Sequence, residues 1–450
     1  MRAAVAAGHP ATVDAGIEIL EDGGNAADTA IAACLASCVA ETVMTGLLGG
    51  GHAIVLSGGA VSTLDFFVAA PGLDGDGRAV ELQQLQVPFG AELIHYAVGI
   101  GSCGVPGVLA GLGALWRRDG SLPWARLVEP AQRLALEGVP MPEAHAACLE
   151  MLATVMTMHE GARIYSPGGR LLRTGDRLEQ PGLRDVLEAV AEEGPESPTL
   201  RSALLALMEE RGGLVTREDL DAYEPAWGEP GRIAFRSAEI ATRIGLSSPL
   251  PALARLEGPD PVSLANALAV DSDAPGDTTN ITVVDGAGDA VVLTTSLGLG
   301  SGDWLPGLDL HLNSMLGETD LLVGDELVPG QRIASMMAPT LAFDDDGLAL
   351  AAGAAGGTRL RSALVQVLSG VLDEGLSEGQ AVERPRLHPV GELVHLEPGF
   401  PDEVLASLEA AGFAVRRWPA LHHFFGGVSA VGRSGAAGDP RRSGAAAHPK

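Results

Sequence analysis

The most chemically suggestive passage in the chain is Asp277-Thr278-Thr279. There an acidic, Pro- and Gly-containing stretch (271–277, DSDAPGD) runs directly into hydroxyl residues that open a predicted strand. If the peptide bond before Thr278 were cut, the freed α-amine could serve as base for that residue's own hydroxyl, making it a nucleophile. The ordinary reading of a Thr doublet at a strand start is β-propensity and capping, and the doublet alone does not choose between the two. Two Gly-rich stretches, 46–51 (GLLGGG) and 353–357 (GAAGG), invite a nucleotide reading. Neither forms GxGxxG after a strand and before a helix with an acidic residue about 20 positions on, so a dinucleotide site is not indicated. The second stretch does stand between a predicted strand and a predicted helix, where backbone N–H groups can hold an anion. Cys34 and Cys38 share one face of a predicted helix. With Cys103 and Cys148 they lack the further Cys or His spacing of a metal site and read as small buried hydrophobes. The 11 His residues form no HExxH pattern, and their one doublet, His422-His423, reads as a surface or core pair. Neither a metal nor a cofactor is called for.

The elements that must position these residues follow from periodicity. Residues 11–22 carry Val13, Ile17 and Leu20 on one helical stripe, ended by Gly23-Gly24. A second helix runs from about 25 to 41 with Asn25 as its N-cap. Strands 52–57 and 60–66 form a hairpin around Gly58-Gly59, and 70–80 reads as loop. The block 103–257 looks mostly helical, with Thr216 and Asp219 close to a capping box. After it come a hairpin of 281–285 and 290–297, a strand pair of 338–343 and 348–355, and a helix after Gly356-Gly357. A helix and strand close the ordered part, and 433–450 reads as a disordered Gly-, Ala- and Arg-rich tail. The order is not the regular strand–helix alternation of a doubly wound sheet. It suits an α+β fold with antiparallel sheets layered between helices.

Composition narrows the function classes. Asp plus Glu number 58 against 29 Lys plus Arg, a net charge of −29, and the only lysine is Lys450. Phosphate binding needs clustered positive charge, so nucleic acid is excluded as a partner, as is docking on an anionic membrane. Hydrophobic residues make up 46% and charged residues 19%, as in an ordinary globular chain. No run of about 18 apolar residues exists, so no transmembrane helix is expected. The N-terminus, MRAAVAAGHPATVDAG, is apolar too briefly for a signal-peptide core, which gives a cytoplasmic expectation.

Several longer passages, in order over about residues 5–400, resemble the γ-glutamyltransferase (glutathione hydrolase) proenzymes of the N-terminal nucleophile hydrolase superfamily. They include HPATVDAGIEILEDGGNAADTAIAACLASCVAE, TGLLGGGHAIVL, GGLVTREDLDAY, DTTNITVVDGAGDAVVLTTSL, MMAPTLAF and GAAGGTRLRSALVQVL. The resemblance implies a four-layer αββα sandwich and a proenzyme that cuts itself. It puts the cut at Asp277–Thr278, giving a large region 1–277 and a second region, 278–432, opening on the nucleophile Thr278, the two acting as a heterodimer of cleaved subunits within one structural domain. It further implies oxyanion donors at Gly356 and Gly357, a supporting hydroxyl at Ser296 in place of a Thr, and a carboxylate-binding Ser335 followed by Met336 in place of a second Ser. Departures affect the rest of the amino-acid clamp. Gly298 stands for an Asn, the acidic partner of the substrate amine falls near Gly317, only Arg78 is near the expected clamp Arg, and Asn280 stands for a His. These losses imply a small-molecule amide substrate other than free glutathione. Two functions are compatible with them: an autoprocessing amidohydrolase or acyltransferase of altered specificity, and a catalytically inactive homologue that binds a small molecule or a partner.

Overall fold

The alternating β-branched residues after Thr278 form the hairpin that the pattern predicts, Thr279–Val284 pairing antiparallel with Ala290–Ser296. The computed structural model describes all residues except 76–79, 81, 90–91, 270–277 and 323–326. The hairpin sits at the centre of a seven-stranded sheet. Its order is Ala445–Ala447, Ala4–Ala7, Thr279–Val284, Ala290–Ser296, Gly50–Ser57, Ala60–Phe66 and Ala226–Gly228. A six-stranded sheet stacks on it, ordered Ala436–Gly438, Gly427–Gly432, Gly347–Ala355, Thr340–Asp344, Ala238–Thr242 and Gly231–Phe235. Small and β-branched side chains fill the space between them, among them Ala4, Ala6, Ile54, Val292, Leu341, Ala351 and Val431. Close sheet-on-sheet packing needs such small inward residues.

The outer face of the first sheet is covered by helices Pro10–Glu21, Ala26–Ala40 and Val108–Asp119, with Trp124–Glu137 and Pro181–Glu193 packed in the same core. Ala26–Ala40 is buried on every side, which explains its lack of a polar face. Asn25 caps it through a capping box with Asp28. Helices Arg359–Leu372 and Leu250–Arg255 cover the second sheet, with Pro261–Leu268 and Asp402–Ala410 packed in the same core. The layers are therefore helix, sheet, sheet, helix, the αββα sandwich expected. Among the described residues no helix is long and apolar enough to cross a membrane.

Two expectations need correction. The block 103–257 is not helical throughout, because 226–242 supplies edge strands to both sheets. Residues 433–450 are not a disordered tail. Their glycines and alanines fit where backbones approach closely, and Ala445–Ala447 pairs with Ala4–Ala7 at the edge of the first sheet. Arg441 and Arg442 are buried behind it.

Candidate functional site

Thr278 stands at the mouth of the two-sheet core and is only 6% exposed. The first pair of the hairpin is Thr279 opposite Thr295, so one step further along the antiparallel ladder Thr278 meets Ser296. Both line one cavity. The Gly356 N–H donates a 3.1 Å hydrogen bond to the Thr278 hydroxyl oxygen Oγ1. That donor is presented at the bend between strand Gly347–Ala355 and helix Arg359–Leu372, where Gly356 and Gly357 have φ of +127° and +60°. A Cβ at Gly356 would also lie 3.0 Å from the Gly426 Cα, so the close backbone approach needs glycine there. Gly357 lines the same cavity.

Strand alternation sends the neighbours of Thr278 to opposite faces. Asn280 faces the second sheet, where its Oδ1 accepts from Thr294 Oγ1 at 2.7 Å and its Nδ2 donates to Thr282 Oγ1 at 3.1 Å. Thr279 faces the helices and donates its hydroxyl to Glu41 Oε2. The other oxygen of Glu41 accepts from Thr12 Oγ1 at 2.6 Å. Glu41 is completely buried, and burial pushes its carboxyl up to about 7 against the pull of the two Thr hydroxyls and of Arg442. It shares a second small cavity with Thr278, Thr279, Asn280 and Arg442, so an ionisable group lies directly behind the strand start.

The remaining expected residues also converge. Ser296 Oγ accepts from the Gly298 N–H at 2.8 Å. Ser335 and Met336 both line the cavity, and Ser335 Oγ accepts from the Met337 N–H at 3.3 Å. The Ser335 carbonyl accepts from Arg243 Nη1 at 2.9 Å and from the Leu246 N–H at 3.0 Å, which pins this segment from behind. Gly317 carries no carboxylate, and a side chain there would run into the Ala97 carbonyl. The next residue, Glu318, lines the cavity. Gly298 follows from it, because a Cβ there would collide with Glu318 Oε1 and lie 2.7 Å from Ser314 Oγ. Asp277 and Arg78 lie outside the described residues.

Glu41 and Glu318 each line a cavity beside Thr278, and sequence reasoning missed both. For Glu41 a signal existed, an acid ending an otherwise apolar helix; for Glu318 the neighbouring position drew the attention. A larger groove of about 330 Å³ between helices contains none of these residues, and Arg117 and Glu196 pair across its rim at 2.7 Å. Among the described residues no group of three His, Cys, Asp or Glu side chains could hold a metal ion. All four cysteines are buried free thiols.

Two antiparallel sheets stacked between helical layers, with the site at one end of their central strands, make this an N-terminal nucleophile hydrolase fold. The solved structure of cephalosporin acylase from Bacillus halodurans shares it, with a TM-score of 0.82 and 24% identity over 99% of this chain and 95% of that one. The Gamma-glutamyltranspeptidase family profile matches residues 12–256 and 254–448, and the chain belongs to that family. Its relatives include the acylase ACY 1 proenzyme of Pseudomonas sp. (strain V22), 30% identical over 96% of this chain and 89% of the relative. They also include the glutathione hydrolase proenzyme of Escherichia coli (strain K12), 26% identical over 96% and 90%. Membership makes the chain an enzyme of the amide hydrolase and acyl-transfer class.

Proposed function

We propose that the chain is a self-cleaving amidohydrolase or acyltransferase whose nucleophile is Thr278. The carrying observation is the 3.1 Å hydrogen bond from the Gly356 N–H to Thr278 Oγ1 inside a cavity that also holds Ser296 and Ser335. Scission between Asp277 and Thr278 leaves subunits of 277 and 173 residues that stay together as a heterodimer, held by central strands from both regions. The new α-amine of Thr278 takes the proton from its own hydroxyl, and Oγ1 attacks the carbonyl carbon of the substrate amide. The carbonyl oxygen gains the negative charge and is held by the Gly356 and Gly357 N–H groups; one such donor is worth a factor of about 10² to 10³ in rate. The C–N bond then breaks, the amine leaves with the proton, and an ester to Thr278 remains. Water resolves it to a carboxylic acid, or a second amine resolves it to a new amide, and the hydroxyl regains its proton.

The printed names of the relatives, acylase and glutathione hydrolase proenzymes, support the amide-bond chemistry and the proenzyme state. The departures at Gly298 and Met336 favour an acyl group other than γ-glutamyl. A panel of amide substrates tests the proposal, with the protein and its Thr278→Ala variant side by side. Turnover by the parent alone supports it; equal release of amine by both proteins sinks Thr278 as nucleophile, and release by neither above the protein-free blank sinks the proposal in favour of a non-catalytic binding homologue.

A further inference from the structure

At its start the strand Thr279–Val284 is paired on one side only. Its ladder to Ala4–Ala7 ends where Ala7 faces Ile281, whereas its ladder to Ala290–Ser296 runs on to Thr279 opposite Thr295. A cut before Thr278 turns this half-paired end into a chain terminus, and such ends fray unless something ties them down. On the face toward the second sheet, the Asn280 carbonyl accepts from Ser429 Oγ at 3.2 Å.

On the helix face the tie comes from the segment 41–45. Glu41 Oε2 accepts from Thr279 Oγ1, and Thr45 Oγ1 donates to Thr295 Oγ1 at 2.8 Å. Each residue of the first ladder pair is thus gripped by one side chain. The segment is itself fixed at both ends. The Glu41 N–H donates to the Ser37 carbonyl at 2.8 Å, and the Glu41 carbonyl accepts from the Met44 and Thr45 N–H groups at 2.8 and 3.0 Å. The second carboxyl oxygen of Glu41 accepts from Thr12 Oγ1 at 2.6 Å. Gly8 leaves room for this arrangement, because a Cβ there would lie 2.6 Å from Glu41 Oε2 and 3.0 Å from Thr279 Oγ1. Thr12, Glu41 and Thr45 precede Thr278 in the chain, whereas Thr279 and Thr295 follow it. These bonds therefore join the two regions beside the reacting end.

We infer that Glu41 is a positioning residue: through Thr279 it holds the strand start so that the Thr278 hydroxyl stays on the Gly356 N–H once the new N-terminus is free. The inference rests on the Thr278 reading above and extends it to what holds the nucleophile in place. Strand alternation turns Thr279 away from the cavity that Thr278 shares with Ser296 and Ser335, so Glu41 acts from behind the strand and takes no part in bond making. Misplacing a nucleophile by about 1 Å costs about 10²-fold in rate.

The test compares the full chain with Glu41→Leu, Glu41→Gln, Thr279→Val, Thr279→Ser and Thr278→Ala. Self-cleavage is timed on denaturing gels after cell-free synthesis. Turnover is measured with hexanoyl, phenylacetyl and γ-glutamyl p-nitroanilides, and the best of the three for the parent is carried to the variants. Glu41→Leu and Thr279→Val should slow self-cleavage and kcat about 10- to 100-fold, with KM within about twofold of the parent and a cooperative urea transition retained. Glu41→Gln and Thr279→Ser keep a hydrogen bond at this point and should recover most of the rate. If no anilide is turned over, the rate of self-cleavage decides alone. Parental rates in Glu41→Leu and Thr279→Val overturn the inference and leave the nucleophile standing, provided Thr278→Ala is inert. So does a loss confined to KM, or Gln and Ser variants as slow as Leu and Val. Loss of the urea transition in both Glu41→Leu and Thr279→Val makes the bond a folding contact and also overturns it. Cleavage or turnover by Thr278→Ala at the parental rate, or neither in the parent, overturns the nucleophile and the inference with it.

Discussion

Glu41 gives the sharpest quantitative prediction outside the chemistry itself. Its carboxyl sits at about 7 in the folded protein against an ordinary 4.5, chiefly because it is wholly buried. The folded state therefore holds this proton more tightly than the unfolded chain does. Stability is fully present below about pH 4.5 and is lost as pH rises through about 7, where the buried group must ionise. The separation of about 2.5 pH units corresponds to about 3 kcal/mol at 1.36 kcal/mol per unit. Glu41→Gln keeps the size and the bonds to Thr12 and Thr279, whose hydroxyls can turn to accept from the new amide. Urea unfolding from pH 4.5 to 8.5, with Thr278→Ala in both proteins so that one chain unfolds, should show the two curves separating by about 3 kcal/mol in favour of the Gln variant as pH rises. His9 and His145 lie nearby, and burial lowers them to about 4 and about 3, so they add stability as pH rises toward 6.5 in both proteins. They cancel in the difference. Parallel curves across that range would refute the buried-acid argument.

Other outcomes follow from the same geometry. Gly356→Ala places a Cβ 3.0 Å from the Gly426 Cα at a φ of +127° and displaces the donor to Thr278, so kcat should fall about 10²- to 10³-fold; acyl transfer measured with an anilide reads this directly. Asp439 pairs with buried Arg386 and Arg441 and accepts from the Val428 N–H at 2.9 Å. Asp439→Ala should therefore cost about 3 to 5 kcal/mol of stability in denaturant titration, because two guanidinium groups lose a buried partner. Removal of 433–450 should be more damaging still and leave little folded protein by circular dichroism, since it strips the edge strands of both sheets.

Much of this was legible in the sequence where local pattern and tertiary role agree. The hairpin around 286–289 declares itself by β-branched alternation on both sides of a Gly-containing turn. The glycines at 356 and 357 declare a strand-to-helix bend, and the backbone there does adopt positive φ. Other features arise only from tertiary contacts. Gly231–Phe235 and Ala238–Thr242 are short strands beside long helices, and their pairing with Thr340–Asp344 is what makes them strands. The composition of 433–450 matches a disordered segment, yet the same small residues let Gly438 pack directly on the Ala445 backbone. Glu41 reads as the polar end of a helix until the fold brings Thr279 to it from 238 positions away. At 317 the Ala97 carbonyl fills the space a side chain would need, and the acid that lines the cavity is the next residue, Glu318.

The central claim is that Thr278 becomes an N-terminus and a nucleophile. Intact mass spectrometry of the purified protein, with N-terminal sequencing of each fragment, tests it most directly. The predicted result is two fragments of 277 and 173 residues, the smaller beginning Thr-Thr-Asn-Ile, and a Thr278→Ala variant that remains one chain of 450. A single uncut chain from the parent, or a cut elsewhere that Thr278→Ala does not abolish, would contradict it.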